Sequence, residues 1–274
     1  MKLVTWNVNS VRVRLPRLMA MLDRHRPEIV CLQELKCVDE QFPRAPLIEI
    51  GYQLETFGQK TYNGVAILAR GPIENVVRGM QDGDPDTAAR MIAGTVRGVR
   101  VVNVYVPNGQ EVGSEKFIYK LRWLERLETW LRGWAAPMDS LVMCGDFNVA
   151  PEDRDVGFPD KWRGQVLFHP DEHARLGQIC GFGLVDALRL HSQEAGLHTW
   201  WDYRGGAFHK GDGLRIDLVL VSQPMAERCE SVEIDREERK GEGPSDHAPV
   251  VVTFRDPQGG TTRRSRRETV PAGN

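Results

Sequence analysis

A chain of 274 residues that is 41% hydrophobic, with 27 Gly and 16 Pro, holds enough apolar material for a sizeable core and enough turn formers for many short strands, which excludes a disordered or fibrous protein. Its 36 basic and 38 acidic residues give a formal charge of −2, so no global basic field draws it to nucleic acid and any such attraction must be local. The 5 cysteines are odd in number and form no Cys-x-x-Cys pair, which excludes a disulfide framework and fits a reducing, cytoplasmic setting.

Leu3 to Val8 alternates apolar and polar side chains and predicts a strand that starts at once, leaving no room for a signal peptide. Leu15 to His25 then carries Leu15, Leu18, Met19 and Leu22 at helical spacing, with Pro16 early and Pro27 past the end. Glu28 to Leu32 is a short run of strand formers, so the opening reads strand, helix, strand. Further strands are predicted over Val65 to Ala69, Met91 to Val96, Val99 to Val106, Leu141 to Cys144, Ile216 to Val221 and Val250 to Phe254. The pair around Arg97-Gly98 has the length of a tight hairpin. Apolar residues at 117, 118, 121, 124, 127, 130, 131 and 134 predict one face of a long helix from Phe117 to Trp134 that packs on a sheet. A second helix is predicted over His173 to Cys180, stopped by Gly181. Hairpins mixed with strand-helix-strand units favour a layered α/β architecture with mixed sheets, in one domain spanning residues 1–255. From Asp256 the periodicity vanishes and Gly, Thr and Arg accumulate, which predicts a disordered basic tail over 256–274. No apolar stretch approaches the length of about 18 residues that a membrane span requires.

Several predicted strands end in carboxylate or amide residues, where a chain leaving a sheet can aim side chains into a shared cleft. These are Asn7 with Asn9, Glu34, Tyr105 with Asn108, Asp146 with Asn148, Asp217, and Ser245-Asp246-His247. Singly, each reads as a turn former or a solvated strand end. Together they supply what a metal-dependent phosphodiesterase needs: hard oxygen ligands, a group to activate water, and donors for the phosphoryl oxygens.

The segments WNVNS, LQELK, GQKTYNGVAIL, YVPNG, GDFN, TWWDYR, LRIDLVLVS and PSDHAPV, in this order over residues 1–255, resemble the exonuclease III and abasic-site endonuclease family. The resemblance implies a four-layered α/β sandwich, two mixed sheets flanked by helices. It implies incision 5′ to abasic sites, 3′-to-5′ exonuclease action on duplex DNA and repair of blocked 3′ ends, by a monomer that uses Mg²⁺, with Mn²⁺ as a substitute. By that resemblance Glu34 is the principal metal ligand, with Asn7, Asp146, Asn148, Asp246 and His247 around the ion. Asp146 handles the attacking water, and Asn148, Asn108 and Tyr105 donate to water or phosphate. Asp217 orients His247 so that a protonated imidazole meets the phosphoryl charge. Trp200, Leu214 and Ile216 would form an apolar pocket for a base-less sugar, with Trp201 as either pocket wall or core. Arg90, Lys116, Arg204, Lys210 and Arg215 are candidates for the DNA backbone, with the tail arginines from Arg263 to Arg267 adding weak attraction. Two positions depart from the family pattern: His173 replaces an Arg, and Leu167 stands before Phe168 where a small residue is usual.

Competing readings are a phosphodiesterase of the same fold acting on a non-DNA phosphate ester, and a catalytically silent DNA-damage binding protein. The segments GQKTYNGVAIL and TWWDYR favour the DNA branch over the first. The complete set of chemical residues speaks against the second.

Overall fold

The computed structural model describes residues 1–256, so most of the predicted tail lies outside the described residues. Among the described residues twelve strands form two sheets: β1 (Lys2–Asn7), β2 (Ile29–Gln33), β3 (Gln53–Phe57), β4 (Val65–Ala69), β5 (Glu74–Arg78), β6 (Met91–Val96), β7 (Val99–Tyr105), β8 (Leu141–Asp146), β9 (Leu184–Asp186), β10 (Asp217–Ser222), β11 (Cys229–Ile234) and β12 (Val250–Phe254). One sheet runs β11-β12-β1-β2-β4-β3 and the other β5-β6-β7-β8-β10-β9. Both are mixed. The parallel pairs are β1 with β2 and β7 with β8, and the crossovers that parallel pairing requires carry the helices Val11–His25 and Glu115–Trp134.

Burial explains the layering. Inner-face side chains such as Leu3, Cys31 and Ile67 of the first sheet meet Val101, Val142 and Val219 of the second in one dry core. The outer face of the first sheet packs Trp6, Leu32 and Leu68 against Leu18 and Leu22 of the helix Val11–His25. That of the second packs Val102, Met143 and Leu218 against Leu124 and Leu127 of Glu115–Trp134 and Ile179 of the helix Pro170–Cys180. The result is the four-layered sandwich that the family resemblance implied.

The helix Val11–His25 starts four residues earlier than its spacing predicted and carries Pro16 inside it. The helix Pro170–Cys180 begins three residues early because His169 and Glu172 form a capping box at its N-terminus. At the hairpin, Arg97 and Gly98 both adopt positive φ, 51° and 77°, as a two-residue turn between antiparallel strands demands. One expectation needs correcting: on the long helix Ile118 is 62% exposed, whereas Lys120 lies in the packed face.

The four strands that the periodicity did not predict, β3, β5, β9 and β11, are the four sheet edges. An edge strand buries neither face fully; β5 and β11, for instance, have no buried residue, so their side chains carry little apolar signal.

Candidate active site

Strand direction assembles the site. Asn7 ends β1, Glu34 follows β2, Tyr105 ends β7 and Asp146 ends β8, so two parallel pairs from different sheets release their C-terminal residues at one rim. Asp217 begins the antiparallel β10 directly opposite Asp146, and Asp246-His247 precede β12, which runs antiparallel to β1. Every chemically interesting strand end therefore meets at the same edge.

Local backbone demands fix the details. Gly145 stands at φ +138°, and a Cβ there would lie 2.0 Å from the Val104 carbonyl oxygen, so the Gly-Asp-x-Asn segment cannot begin with any other residue without moving β7. Glu34 and Asn148 hold left-handed conformations at φ 52° and 50°, a strain typical of functional sites that neighbouring contacts must hold in place. Asn148 is pinned by its own N–H donating to Asp146 Oδ1 at 2.9 Å and its Nδ2 donating to the Val106 carbonyl at 2.9 Å.

Asn7 Nδ2 donates to Glu34 Oε1 and to Asp146 Oδ2, both at 2.9 Å, and so ties a carboxylate of each sheet to one amide. Glu34, Asp146 and His247 offer ligand atoms within 4.8 Å of one another. His247 Nδ1 lies 2.8 Å from Asp217 Oδ2, and its Nε2 lies 3.7 Å from Asp146 Oδ2. Burial works against the imidazolium, but the Asp217 and Asp146 carboxylates outweigh it and hold the His247 pKa well above the usual histidine range. Asp146 is pushed up by burial, with the His247 charge opposing and Asp217 adding. The Tyr105 phenol is pushed well up by burial and then by the Glu34 and Asp146 charges, which keeps it a donor.

Asp246 stands beside this group, not within it: Oδ1 accepts from Asn9 Nδ2 at 2.9 Å and Oδ2 from Trp200 Nε1 at 3.0 Å. Asn108 Nδ2 donates to Asn148 Oδ1 at 3.2 Å, which brings a third amide, after Asn7 and Asn148, to the same rim. Arg90 lies over the Tyr105 ring at 4.9 Å and borders a cleft with Asn108, Lys116 and Tyr119.

The apolar residues named from the sequence do gather. Leu167, Phe168, Leu214 and Ile216 form a buried cluster against a partly exposed Trp200. Leu214 and Ile216 are almost wholly covered, so Trp200 is the member that faces outward. Leu167 is 3% exposed and adopts φ +77°, an unusual conformation for a branched side chain. Trp201 is core, fully buried with Ala207 and Ala248. Arg215 also needs correcting: it is buried and bound to Asp155 at 2.6 Å and Asp186 at 2.7 Å, so it is a structural ion and not a grip on a DNA backbone. Arg204 is exposed and paired with Asp202, while Lys116 and Lys210 are exposed. His173, the other departure, caps the Ala150 carbonyl at 2.9 Å and packs edge-on against Phe168.

Two contributors, Lys36 and Thr199, were not singled out from the sequence, and a third, Ser245, was named only as part of the strand end it shares with Asp246 and His247. Lys36 Nζ sits 2.8 Å from Glu34 Oε2 and also donates to Asn9 Oδ1. Thr199 Oγ1 accepts from the N–H groups of Ile216 and Asp217, each at 3.1 Å, and so sets the start of β10. Ser245 Oγ donates to the Asn7 carbonyl at 2.7 Å and accepts from His247 N at 3.2 Å. All three lie in segments with recognisable motifs, but a hydroxyl or an amine that supports a neighbour leaves no pattern of its own.

Residues 4–247 match the Endonuclease/Exonuclease/phosphatase family. Exodeoxyribonuclease III of Haemophilus influenzae is 34% identical over 267 residues, covering 93% of this chain and 100% of that protein. A solved structure of the 3′ phosphatase NExo from Neisseria, bound to a product DNA hairpin, is similar with a TM-score of 0.91 at 43% identity, over 93% of this chain and 99% of that one. An AP endonuclease from Archaeoglobus fulgidus is similar with a TM-score of 0.89 at 41% identity, again over 93% and 99%. With two mixed sheets, a rim of converging carboxylates and full-length similarity in agreement, the chain belongs to the endonuclease/exonuclease/phosphatase family, in its exonuclease III and abasic-endonuclease branch.

Proposed function

We propose that residues 1–255 form one catalytic domain of a divalent-metal-dependent DNA repair nuclease, which trims and processes 3′ ends and incises duplex DNA 5′ to abasic sites. The observation that carries this reading is the meeting of Glu34, Asp146 and His247 at the junction of the two sheets, with Asn7 bridging the two carboxylates. The similarity to exodeoxyribonuclease III, and to a 3′ phosphatase caught with a DNA hairpin, supports duplex DNA as the substrate and 3′ ends as a principal target.

The donor set suits a small hard cation, because carboxylate and amide oxygens on an open rim leave room for waters. A Mg²⁺ ion, or Mn²⁺ in its place, held by Glu34 with Asp146 and Asn7 beside it would supply positive charge to the phosphoryl group. The chain's own residues do the rest. Asp146 accepts the proton of the attacking water, whose oxygen bonds to phosphorus as a bridging P–O bond breaks; the departing sugar oxygen keeps that electron pair and takes a proton from solvent to leave as a hydroxyl. Protonated His247, held by Asp217, and the Tyr105, Asn108 and Asn148 donors meet the developing phosphoryl charge. His247 Nδ1 is held by Asp217, which leaves Nε2 turned toward Asp146 and the rim, where it can meet the phosphoryl group. Trp200 presents the apolar wall for a sugar that lacks its base, with Leu214, Ile216 and Leu167 packed behind it. The free cysteines among the described residues suit a reducing cytoplasm, and no described helix is long and apolar enough to cross a membrane.

The test is purified protein with Mg²⁺ on matched duplexes, one with a central abasic site and one with an undamaged recessed 3′ end. Cutting at the site or shortening from the end, both abolished by EDTA, is the expected result. Binding to the damaged duplex without cleavage would favour the silent binder. Hydrolysis of a non-DNA phosphate ester alone would favour the other branch of the fold.

A further inference from the structure

Lys120 sits on the packed face of the helix Glu115–Trp134, and its side chain is 0% exposed, as is that of its partner Glu172 on the helix Pro170–Cys180. An ammonium withdrawn from water must spend each of its three donors well. Lys120 Nζ donates to the Asn108 carbonyl at 3.0 Å, to the Asn148 carbonyl at 2.6 Å and to Glu172 Oε1. Two of the three acceptors are thus the backbones of residues whose side chains lie at the rim. The backbone makes room for this: Gly109 holds φ +93°, where a Cβ would lie 3.0 Å from Lys120 Cδ. Glu172 extends the chain of contacts in the other direction, accepting from Leu167 N at 3.2 Å and, through Oε2, from His169 N at 3.1 Å. Leu167 in turn accepts from Ala150 N at 2.8 Å.

We propose that the buried Lys120–Glu172 pair is the positioning device of the phosphate side of the site, fixing Asn148 and Asn108 and joining them to the turn that carries Leu167. The proposal deepens the nuclease reading and rests on it for the catalytic consequence. The pair touches no substrate. It acts through Asn148, whose N–H holds Asp146 and whose Oδ1 holds Asn108, so a slack Asn148 carbonyl loosens a donor and the water-activating carboxylate together. A pair that served packing alone would have no need to end on these two carbonyls.

The experiment uses the full chain with Lys120→Met and Glu172→Gln combined, which removes both charges at similar volume and leaves no buried ion unpaired. Cooperative thermal unfolding is confirmed first, and Lys120→Arg serves as a second variant if the neutral pair does not fold. Amide exchange then reads position without requiring activity: residues 106–109 and 147–150 are expected to exchange at least tenfold faster, with the central strands β1 and β8 unchanged. On the abasic duplex, kcat is expected to fall at least tenfold with KM within about threefold, and adding Asn148→Ala is expected to cost less than its full single-variant factor. Wild-type exchange in the two segments, wild-type kcat, or a fully multiplicative loss with Asn148→Ala would each overturn the proposal. If the unaltered protein cuts no duplex, the nuclease reading fails, and the exchange measurement still decides the positioning role.

Discussion

The two halves of this site are built differently. The proposed chemical half, Asn7, Glu34, Asp146, Asp217 and His247, stands on strand ends whose register is locked by two sheets and a shared dry core. The proposed substrate half, Leu167, Trp200, Leu214 and their neighbours, stands on connections between strands and is held by its own small apolar cluster. Strand register cannot drift without turning whole faces outward, so the chemistry is fixed by the fold. A loop cluster can be repacked one residue at a time, so the choice of substrate is adjustable while the reaction stays the same.

The largest effect should come from the chemical half. Glu34→Gln is expected to lower cleavage by several orders of magnitude while DNA binding persists or tightens, because one anion leaves a cleft that receives a polyanion. Fluorescence anisotropy beside single-turnover cleavage checks this, and an active Glu34→Gln protein would end the argument for a metal ligand. EDTA should produce the same loss in the unaltered enzyme.

Asp146→Asn and His247→Ala should each reduce the rate about 10²-fold or more, the scale of a general base and of a charge-stabilising donor. Because both serve one transition state, their combined loss should be smaller than the product. A multiplicative double variant would mean that the two act independently.

The pH dependence follows from the raised values. Asp146 must be deprotonated to take a proton, so the metal-free carboxylate, pushed up to about 7, should titrate near neutrality by NMR, and activity should fall as pH drops through the value that governs the working enzyme. His247 is useful as a cation, so activity should decline again only as pH rises toward about 10. The same proton stabilises the fold: the His247 contribution is fully present below the ordinary histidine value and is lost as pH rises through the elevated one. A rate that collapses between pH 7 and 8 would contradict a cationic His247.

The contrast between the halves also explains what the sequence made legible. Central strands such as β4, β6 and β12 were delimited to the residue because burial on both faces leaves runs of strand formers that only Thr95 in β6 and Thr253 in β12 interrupt. The residues that converge at the rim were legible because a carboxylate, amide or imidazole at a strand end breaks such a run abruptly, and because the ordered segments from WNVNS to PSDHAPV resemble a known family. Lys120 was opaque for the opposite reason. A lysine in an amphipathic helix reads as solvent-facing, and only the fold reveals two backbone carbonyls and a carboxylate waiting for it. Arg215 misled in the same way, its positive charge being consumed internally by Asp155 and Asp186.

The smallest predicted effect bears most directly on the central claim that chemistry and substrate choice are separable. Leu167 supports the wall behind Trp200, and its bulk should hinder an extruded abasic sugar more than a frayed 3′ end. Replacing it with Gly removes a buried side chain, which costs about 2–5 kcal/mol, while relieving the left-handed strain at φ +77° returns about 1–2 kcal/mol. The folded Leu167→Gly protein should therefore show an incision-to-trimming ratio raised about tenfold, equivalent to about 1.4 kcal/mol of differential barrier. Its metal requirement and pH profile should be unchanged. Measuring both activities on matched duplexes, for the unaltered enzyme and Leu167→Gly, decides the matter. A raised ratio with the same metal and pH dependence is the predicted result, and an unchanged or lowered ratio would contradict the account and leave Leu167 as packing.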